Sequence, residues 1–388
     1  MSFKPLFSKS LGAAPERLHF AAHSHHLWPD ASFEGQVDCW QDAAARADHK
    51  WDKIMGQVWP EAQTHIAAEL GSGDPSAIVF ASNTHDFLIR LAAACPRPAG
   101  RPLRVLMSDG EFHSARRQMA RWAETGEVEL TRVPAEPFDD FSDRFLAAAG
   151  AGERDLVLVS QVLFNSGRVF DGISQLAALA RPEGPWVVVD AYHAFMAIEV
   201  PISPVVAASA FVLGGGYKYA MAGEGMGFMH CPPGYGPRPP ITGWFAEFGE
   251  LTAPPGSSVG YTSDAMRFMG ATFDASALYR LNAIQRMLKE NGLTTARIAA
   301  RIANLQAQLL DRVAGSALDE AELLNPLGPG PHARFFAFRS PNAQRWCSEL
   351  DSQNIVTDVR GDVLRIGFGL YQDEADVDLL AAAARQLA

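Results

Sequence analysis

The sequence predicts an α/β fold in which a mainly parallel central sheet has helices on both faces, with a small α+β domain attached. Two observations carry this prediction. Runs of residues that are apolar on both strand faces alternate with segments of helical spacing, and this pattern is typical of parallel strands buried between helices. The chain has 388 residues, a length that favours one large and one smaller domain over a single core.

Short apolar runs are the predicted strands of the central sheet. They span residues 77–81, 104–108, 127–133, 155–160, 186–190, 209–213 and 226–230. Residues 31–70, which precede them, are rich in Ala, Trp and charged residues at helical spacing. Residues 231–263 are rich in Pro, Gly and aromatic residues, and a connection of this length is interpreted as functional or interfacial.

The C-terminal part of the chain predicts the smaller domain. Residues 276–313 are almost free of Gly and are interpreted as one long helix that leads out of the large domain. Behind it come predicted strands at 334–338 and 362–366, a helix near 342–353 and a terminal helix from Asp373. We therefore assign residues 31–275 to the large α/β domain, and residues 1–30 with 276–388 to the small α+β domain.

Composition excludes several classes of function. A net charge of −11 disfavours binding to a nucleic-acid backbone or an anionic membrane through bulk electrostatics. The N-terminus lacks the apolar segment of a secretory signal, and no run of about 18 apolar residues occurs, so a cytoplasmic protein is expected. The four Cys residues are scattered without CxxC spacing, which argues against a disulfide framework or a zinc knuckle.

Two polar positions follow buried strands. Lys218 lies in the glycine-rich segment 214–219, at the edge where α/β sheets bind ligands, and a desolvated lysine amine condenses with carbonyl groups. Its alternative is a surface lysine in a flexible loop. Asp190 ends a strand and His193 follows it; a carboxylate there needs a partner such as a protonated ring nitrogen. Its alternative is a helix N-cap.

Two further positions follow the first strands of the sheet. Asn83 and Thr84 precede a predicted helix, and polar side chains with free backbone N–H groups at a helix N-terminus form a phosphate site. Plain capping is the alternative. Phe112 follows the next strand, where its ring can stack on a flat heterocycle or, alternatively, belong to the core. Because these positions follow strands at the same edge of one sheet, they predict a single site.

These motifs identify a resemblance to a known family. The segments that carry it are 217–219, 222–227, 190–193, 164–167, 243–245 and 365–371. Together they resemble the fold-type I pyridoxal-phosphate (PLP) enzymes of the class V aminotransferase group, and within that group the chain is most similar to kynureninase. The resemblance extends over nearly the whole chain.

The resemblance implies pyridoxal 5′-phosphate as cofactor and a role for each matched residue. Lys218 is implied to be the Schiff-base lysine and Asp190 the partner of the pyridine nitrogen, with His193 beside that carboxylate. The other implied cofactor contacts are Asn83, Thr84 and Tyr217 at the phosphate, Phe112 stacked on the ring, and Trp244 and Thr272 from a neighbouring subunit. The resemblance thus implies a homodimer with shared active sites.

Substrate recognition is implied to involve Arg365 and Ser24. Arg365 matches the small-domain arginine that binds the substrate α-carboxylate, and its alternative is a solvent-exposed strand residue. Residues 23–27, His-Ser-His-His-Leu, replace the Asn-Ser-Leu-Gly type of turn found in kynureninases, and Ser24 with a histidine is expected to line the substrate pocket. Three histidines in this turn point in different directions, so no metal site is expected.

The resemblance implies a PLP-dependent hydrolase acting on a small-molecule amino acid, with cleavage of the Cβ–Cγ bond and release of alanine. A class V aminotransferase and a cysteine desulfurase-like lyase are the enzymatic alternatives, although no Cys occupies an obvious mobile loop before Arg365. A more remote alternative is an α/β binding protein without PLP. The absence of GxGxxG and GxxxxGK[ST] patterns after a strand argues against a nucleotide-binding version of it.

Overall fold

The computed structural model describes residues 2–199, 202–250 and 258–387. Its strands, numbered in chain order, are β1 (Leu18–His19), β2 (Ile78–Ala81), β3 (Leu103–Ser108), β4 (Val128–Val133), β5 (Leu156–Ser160), β6 (Trp186–Asp190), β7 (Ala210–Gly215), β8 (Gly227–His230), β9 (Glu322–Leu323), β10 (Phe335–Arg339), β11 (Ile355–Val356), β12 (Asp358–Arg360) and β13 (Val363–Gly367).

The α-helices are α1 (Ser8–Gly12), α2 (Asp30–Arg46), α3 (Lys50–Lys53), α4 (Trp59–Leu70), α5 (Thr84–Ala94), α6 (His113–Glu124), α7 (Phe141–Gly150), α8 (Ile173–Ala177), α9 (Pro204–Ser209), α10 (Ser276–Glu290), α11 (Thr295–Arg312), α12 (Ala343–Asp351) and α13 (Glu374–Ala384). Short 3-10 segments occur at Lys4–Phe7, Ala47–His49, Pro75–Ala77, Phe138–Asp140, Trp244–Glu250 and Ala265–Phe268, and a π-helical turn at Ile54–Val58.

A seven-stranded sheet in the order β2-β8-β7-β6-β5-β3-β4 forms the centre of the large domain. Strands β3 to β7 pair in parallel, whereas β8 is antiparallel to both of its neighbours. The prediction of a mainly parallel sheet is therefore confirmed. The exception has a simple cause: residues 216–226 join β7 to β8 without a helix, and a parallel pair needs a longer crossover connection.

The inner strands form the core of this domain. Every residue of β5 and β7 is buried, and so is every residue of β6 except Asp190 at its carboxyl end. Apolar side chains thus cover both faces of these strands, as the parallel architecture requires. Asp190, at the carboxyl end of β6, is therefore the polar residue of these strands that is only partly buried.

Strand β7 extends further than predicted. The sequence predicts a glycine-rich turn after residue 213, but Gly214 and Gly215 continue the strand and pair with Phe228 and Gly227 of β8. A Cβ on Gly214 would meet the Phe228 ring, and one on Gly215 the Tyr192 hydroxyl. These glycines therefore make room for aromatic rings packed against the strand.

The long helix predicted at 276–313 is wrong as one element. It is two helices, α10 and α11, because the chain turns at Gly292, which has a φ of 60°. The Thr294 side chain then accepts a hydrogen bond from the Arg297 backbone N–H and begins the second helix.

The C-terminal elements build a four-stranded antiparallel sheet in the order β12-β13-β10-β9. The N-terminal segment lies beside them, because β1 pairs with β11 and Ala21 forms a bridge with Gly367. The division into two domains stays a prediction. Over the part of the chain that the structure describes, no helix combines the length and the apolar character that a bilayer crossing would require.

Candidate active site

A cavity of about 220 Å³ opens at the carboxyl ends of the parallel strands. Seven of the predicted site residues line it together: Asn83, Thr84, Phe112, Asp190, His193, Tyr217 and Lys218. They come from positions spread over more than a hundred residues and meet because successive parallel strands end at one edge of the sheet. The remaining four, Ser24, Trp244, Thr272 and Arg365, lie outside this lining.

Lys218 is buried, with 5% of its surface exposed. Its Nζ lies 2.6 Å from His193 Nε2. Burial lowers the pKa of Lys218 to about 7, although the nearby Asp190 carboxylate acts in the opposite direction. The surface-lysine alternative is therefore wrong, and a large fraction of this amine is neutral and nucleophilic near neutral pH.

His193 hydrogen bonds to Lys218, whereas the resemblance places it beside Asp190. Burial, followed by the positive charge of Lys218, lowers the pKa of His193 well below its ordinary value. The imidazole is therefore neutral, and Nε2 is able to accept a hydrogen bond from a protonated Lys218. Its Nδ1 is buried without a hydrogen-bond partner among the described residues.

Asp190 ends β6 and faces the cavity. Its Oδ1 accepts a hydrogen bond of 2.9 Å from the Tyr192 backbone N–H. The helix-cap alternative is wrong, because the described residues that follow form turns up to residue 199. Burial raises the pKa of Asp190, with Lys218 opposing the shift, so its ionised form needs a cationic partner at the cavity side.

Asn83 combines the two roles that the sequence leaves open. Its side chain accepts a hydrogen bond of 3.0 Å from the Asp86 backbone N–H and caps α5. Asn83 and Thr84 also line the cavity, so the N-terminus of α5 faces it. A Cβ at Gly227 would lie 2.5 Å from the Asn83 carbonyl carbon, and the absence of a side chain there lets β8 support this turn.

Aromatic rings surround the lysine amine. Lys218 Nζ lies 4.9 Å from the ring centroid of Tyr192, 5.6 Å from that of Phe112 and 5.7 Å from that of Tyr217. Phe112 is 37% exposed and packs edge-on against Phe164. The alternative that Phe112 belongs to the core is therefore wrong, because its ring forms a wall of the cavity.

Sequence reasoning missed Glu111, which is 1% exposed behind the cavity wall. It accepts hydrogen bonds from the hydroxyls of Ser108 and Ser160, each 2.5 Å long, and from the Ser160 backbone N–H. Burial raises its pKa to about 7 despite these bonds. Its position directly before Phe112, after a buried strand, was the available signal.

We expect the stability of the cofactor-free Glu111→Gln variant, measured relative to that of wild type, to increase as pH rises. The folded protein keeps Glu111 protonated up to about pH 7 while the unfolded chain releases the proton near 4.5, so wild type loses stability across this window. The neutral Gln variant avoids this decrease in the free energy of unfolding, which amounts to up to about 3 kcal/mol. Chemical denaturation at pH 4 and pH 8 measures the difference; a pH-independent difference would contradict the shift.

Arg365 lies on β13 with 3% of its surface exposed, so the solvent-exposed alternative is wrong. One terminal nitrogen donates to the Phe164 carbonyl, and the other pairs with the Asp358 carboxylate. The Nε–H group is buried without a partner in the described structure. Both terminal nitrogens are thus engaged within the protein, and Nε is the nitrogen left without an acceptor.

The other predicted contacts lie further from the cavity. Ser24 is partly buried, and its neighbour His25 stacks on Tyr217 with ring centroids 5.2 Å apart. Trp244 is 40% exposed and Thr272 is exposed. These two positions therefore lie on the surface of a single chain, and their contact with a neighbouring subunit stays a prediction.

His23 and His26 occupy separate surroundings. His23 is fully buried, stacks on Phe335 and has its Nε2 3.6 Å from Asp358, while His26 contacts the Leu27 carbonyl through Nδ1. Burial lowers the pKa of both rings to about 3. Among the described residues, no group of three or more His, Cys, Asp or Glu side chains could hold a metal ion.

The arrangement fits PLP. The cavity offers a buried amine for an aldehyde, a carboxylate for a ring nitrogen, an aromatic wall for a flat ring and a helix N-terminus for a phosphate. The fold and the site therefore define a PLP-dependent enzyme of the fold-type I class, with pyridoxal 5′-phosphate as its cofactor. The alternative of an α/β binding protein without PLP is wrong.

The family is shown by the match of residues 35–380 to the aminotransferase class-V family, and the chain belongs to it. The chain is 26% identical over 363 residues to the isopenicillin N epimerase of Amycolatopsis lactamdurans, covering 89% of this chain and 88% of that protein. It is 29% identical over 195 residues to the isopenicillin N epimerase of Streptomyces clavuligerus. That match covers 50% of this chain and spans 47% of that relative.

Solved structures share the fold. The apo structure of a cysteine desulfurase from Thermococcus onnurineus NA1 superposes with a TM-score of 0.78 at 19% identity, covering 100% of this chain and 99% of that one. The cystine C-S lyase C-DES in complex with cysteine persulfide gives 0.79 at 17% identity, covering 98% and 100%. The particular similarity to kynureninase that the motifs predict is not shown by these matches.

Proposed function

We propose that the protein is a PLP-dependent enzyme that removes and returns a proton at the α-carbon of an amino acid, as in class V aminotransferases. The observation that carries this proposal is the buried Lys218 amine, 2.6 Å from a neutral His193 and inside the cavity that Asp190 closes. A buried amine of lowered pKa is suited to bind an aldehyde and to accept a proton near neutral pH.

When bound, PLP withdraws electrons from the substrate α-carbon through its pyridine ring. Asp190 holds the proton on the ring nitrogen, because an ionised carboxylate at this buried position is stabilised by a cationic partner. Asn83, Thr84 and the N-terminus of α5 hold the phosphate, with Tyr217 beside it. Phe112 would supply an aromatic wall for the cofactor ring.

Lys218 moves the α-proton. With the substrate bound at the cofactor, the free amine of Lys218 would take the proton from the α-carbon. His193 Nε2 then accepts a hydrogen bond from the protonated Nζ and holds it in reach of the substrate. Nζ would then either return the proton to the α-carbon or deliver it to a different atom, as transamination requires.

Return of the proton to the α-carbon is a second candidate outcome. The match to isopenicillin N epimerases over 363 residues favours it, since epimerisation is a change of configuration at such a carbon. The kynureninase-like outcome, hydrolysis of the Cβ–Cγ bond with release of alanine, has no support from the reported relatives.

A desulfurase that carries sulfur on a cysteine is disfavoured by the positions of the four Cys residues. Cys95 and Cys231 are buried, and Cys39 and Cys347 are partly buried on α2 and α12. None of them lines the cavity. A C–S lyase reaction without a cysteine carrier remains compatible with the site.

We also propose a homodimer in which each subunit completes the other's site. Trp244 and Thr272 support this proposal because both are exposed on the single chain although the resemblance places them at the phosphate. Sedimentation of the purified protein measures the assembly, and a monomer at the concentrations of full activity would contradict the proposal.

The proposed reaction is tested by incubating the yellow holoenzyme with a panel of amino acids in D₂O. We expect loss of the α-proton NMR signal for the substrate, accompanied by keto acid for transamination or by the opposite enantiomer for epimerisation. Alanine appearing from kynurenine would instead support the hydrolase. No α-proton exchange for any amino acid would contradict the proposed function.

Arg365→Lys is expected to weaken substrate binding while the cofactor stays bound. If Arg365 binds the α-carboxylate, the substitution replaces a planar guanidinium group with an ammonium group that acts as a point charge. The free energy of substrate binding should then weaken by about 1.5–3 kcal/mol, the size of a charge-assisted hydrogen bond. The contact exists in the ground and transition states, so KM rises more than kcat falls. Spectral titration with the substrate measures the change.

The matched control for this variant is Arg345→Lys on the outer surface of α12. It should leave KM unchanged. Equal substrate dissociation constants for wild type and Arg365→Lys would place the α-carboxylate site elsewhere.

A further inference from the structure

A second cavity, of about 590 Å³, adjoins the cofactor cavity. Phe164 lines both cavities, and its ring packs against Phe112 and His113. Leu163 and Phe138 supply further apolar surface. Phe164 is therefore a shared wall, and a substrate side chain that extends past Phe164 from an α-carbon near Lys218 would enter the second cavity.

Two guanidinium groups line the second cavity near Phe164 and His113. Arg116 is exposed, and its terminal nitrogen lies 2.9 Å from His113 Nδ1. Within the described residues it has no ion pair with a carboxylate. Arg360 is 45% exposed and pairs with Asp358 at 2.7 Å.

The Asp358 carboxylate does not balance the charge around it. Its other oxygen pairs with the buried Arg365, so one carboxylate faces two guanidinium groups. Arg116 adds a third guanidinium group near His113. An anion bound at this position would receive charge-assisted hydrogen bonds from Arg116 and Arg360.

Three carboxylates, those of Asp109, Glu136 and Asp362, also line the second cavity. Glu136 pairs with Arg339, and Asp109 accepts a hydrogen bond from the Ala135 backbone N–H. Asp362 is exposed in the turn between β12 and β13. Arg339 also pairs with Glu322. Arg116 has no ion pair with a carboxylate among the described residues, and Arg360 shares Asp358 with Arg365, whereas Glu136 and Arg339 pair with each other.

The surroundings of His113 support this charge distribution. Burial lowers its pKa, and the guanidinium groups of Arg116, Arg360, Arg365 and Arg117 lower it further. His113 is also the first residue of α6, whose N-terminus has no side-chain cap and no acidic residue in its first turn. Its free N–H groups add to the positive potential.

We propose that the substrate carries a second anionic group, a carboxylate or its equivalent, at the end of its side chain, and that Arg116 and Arg360 bind this group in the second cavity. The inference rests on the proposed function for the position of the α-carbon near Lys218. Guanidinium groups recognise carboxylates through paired N–H donors. The substrate class is therefore an amino acid with an acidic side chain.

Kinetics of the holoenzyme test this inference. We compare kcat/KM for glutamate and 2-aminoadipate with that for glutamine and norleucine, which have uncharged side chains. At least one acidic amino acid should be preferred by about tenfold to a hundredfold over its neutral counterpart. Arg116→Gln and Arg360→Gln should reduce this preference mainly through KM, and both positions are exposed enough to tolerate the change.

Arg121→Gln is the matched control, because Arg121 lies on the same helix but pairs with Glu124 at the surface. It should leave the preference unchanged. Equal kcat/KM for acidic and neutral substrates, or equal losses for both in the Arg116 variant, would overturn the inference while leaving the proposed function in place.

A binding measurement separates the inference from the proposed reaction. Adipate has two carboxylates and hexanoate has one, and neither has an amine that can react. Calorimetry of the holoenzyme should show tighter binding of adipate, lost in Arg116→Gln and Arg360→Gln and kept in Arg121→Gln. Equal affinities for the two acids would overturn the anionic subsite even if amino acids are turned over.

Discussion

Lys218→Ala is expected to abolish turnover while leaving the fold intact. The amine is the only lysine nitrogen lining the described cofactor cavity, and both cofactor attachment and α-proton transfer are proposed to pass through it. Loss of such a nucleophile and base removes the reaction rather than slowing one step. Turnover under saturating substrate measures the effect, with circular dichroism as the check on the fold.

The matched control is Lys289→Ala, because Lys289 is exposed near the end of α10. It should retain full activity. Activity above about a few per cent of wild type in Lys218→Ala would contradict the assignment of Lys218.

The same variant has a second readout in the cofactor-free protein. The pKa of Lys218 is lowered from 10.5 to about 7, so between these values the unfolded chain binds a proton that the folded chain does not. Wild-type stability therefore rises with pH in this window. The Lys218→Ala variant lacks this rise, and its stability relative to wild type should be greater at pH 7 than at pH 10.

Asp190→Asn is expected to bind PLP and to lose most of the rate. A neutral amide cannot hold the proton on the ring nitrogen, so the ring withdraws electrons from the α-carbon less effectively. We expect kcat to fall by about 10²- to 10⁴-fold, the range for loss of a proton-holding group. Single-turnover kinetics measure the α-proton step directly.

The control for this variant is Asp171→Asn, which changes an exposed carboxylate outside the cofactor cavity. It should keep the wild-type rate. An unchanged kcat in Asp190→Asn would mean that the carboxylate serves only its hydrogen bond to the Tyr192 backbone N–H.

The sheet was predictable because its signal is local. Apolar runs and the residues that interrupt them lie within a few positions of each other, and the strand at Trp186–Asp190 has the predicted bounds. The break between α10 and α11 was also a local signal, in Gly292 and Thr294, but the helical spacing on both sides concealed it. The antiparallel direction of β8 followed from the short connection before it.

The positions of the site residues along the chain predicted that they would line one cavity. Asn83, Phe112, Asp190 and Lys218 each follow a strand, and parallel strands bring such positions to one edge whatever lies between them. The sequence alone therefore predicted that these four positions meet in one cavity, and their roles toward a cofactor stay a prediction. It did not reveal Glu111, because burial of a carboxylate depends on the serines of two neighbouring strands.

The pairings inside and beside the cavity were decided only by the tertiary structure. His193 could have faced Asp190 or Lys218, and packing selected Lys218. Arg365 donates to the carbonyl of Phe164, a residue 201 positions away. The charge around the second cavity likewise comes from Arg116 and Arg360, on different elements. Spacing along a chain carries no information on such contacts, because folding brings these groups together and burial then determines their protonation.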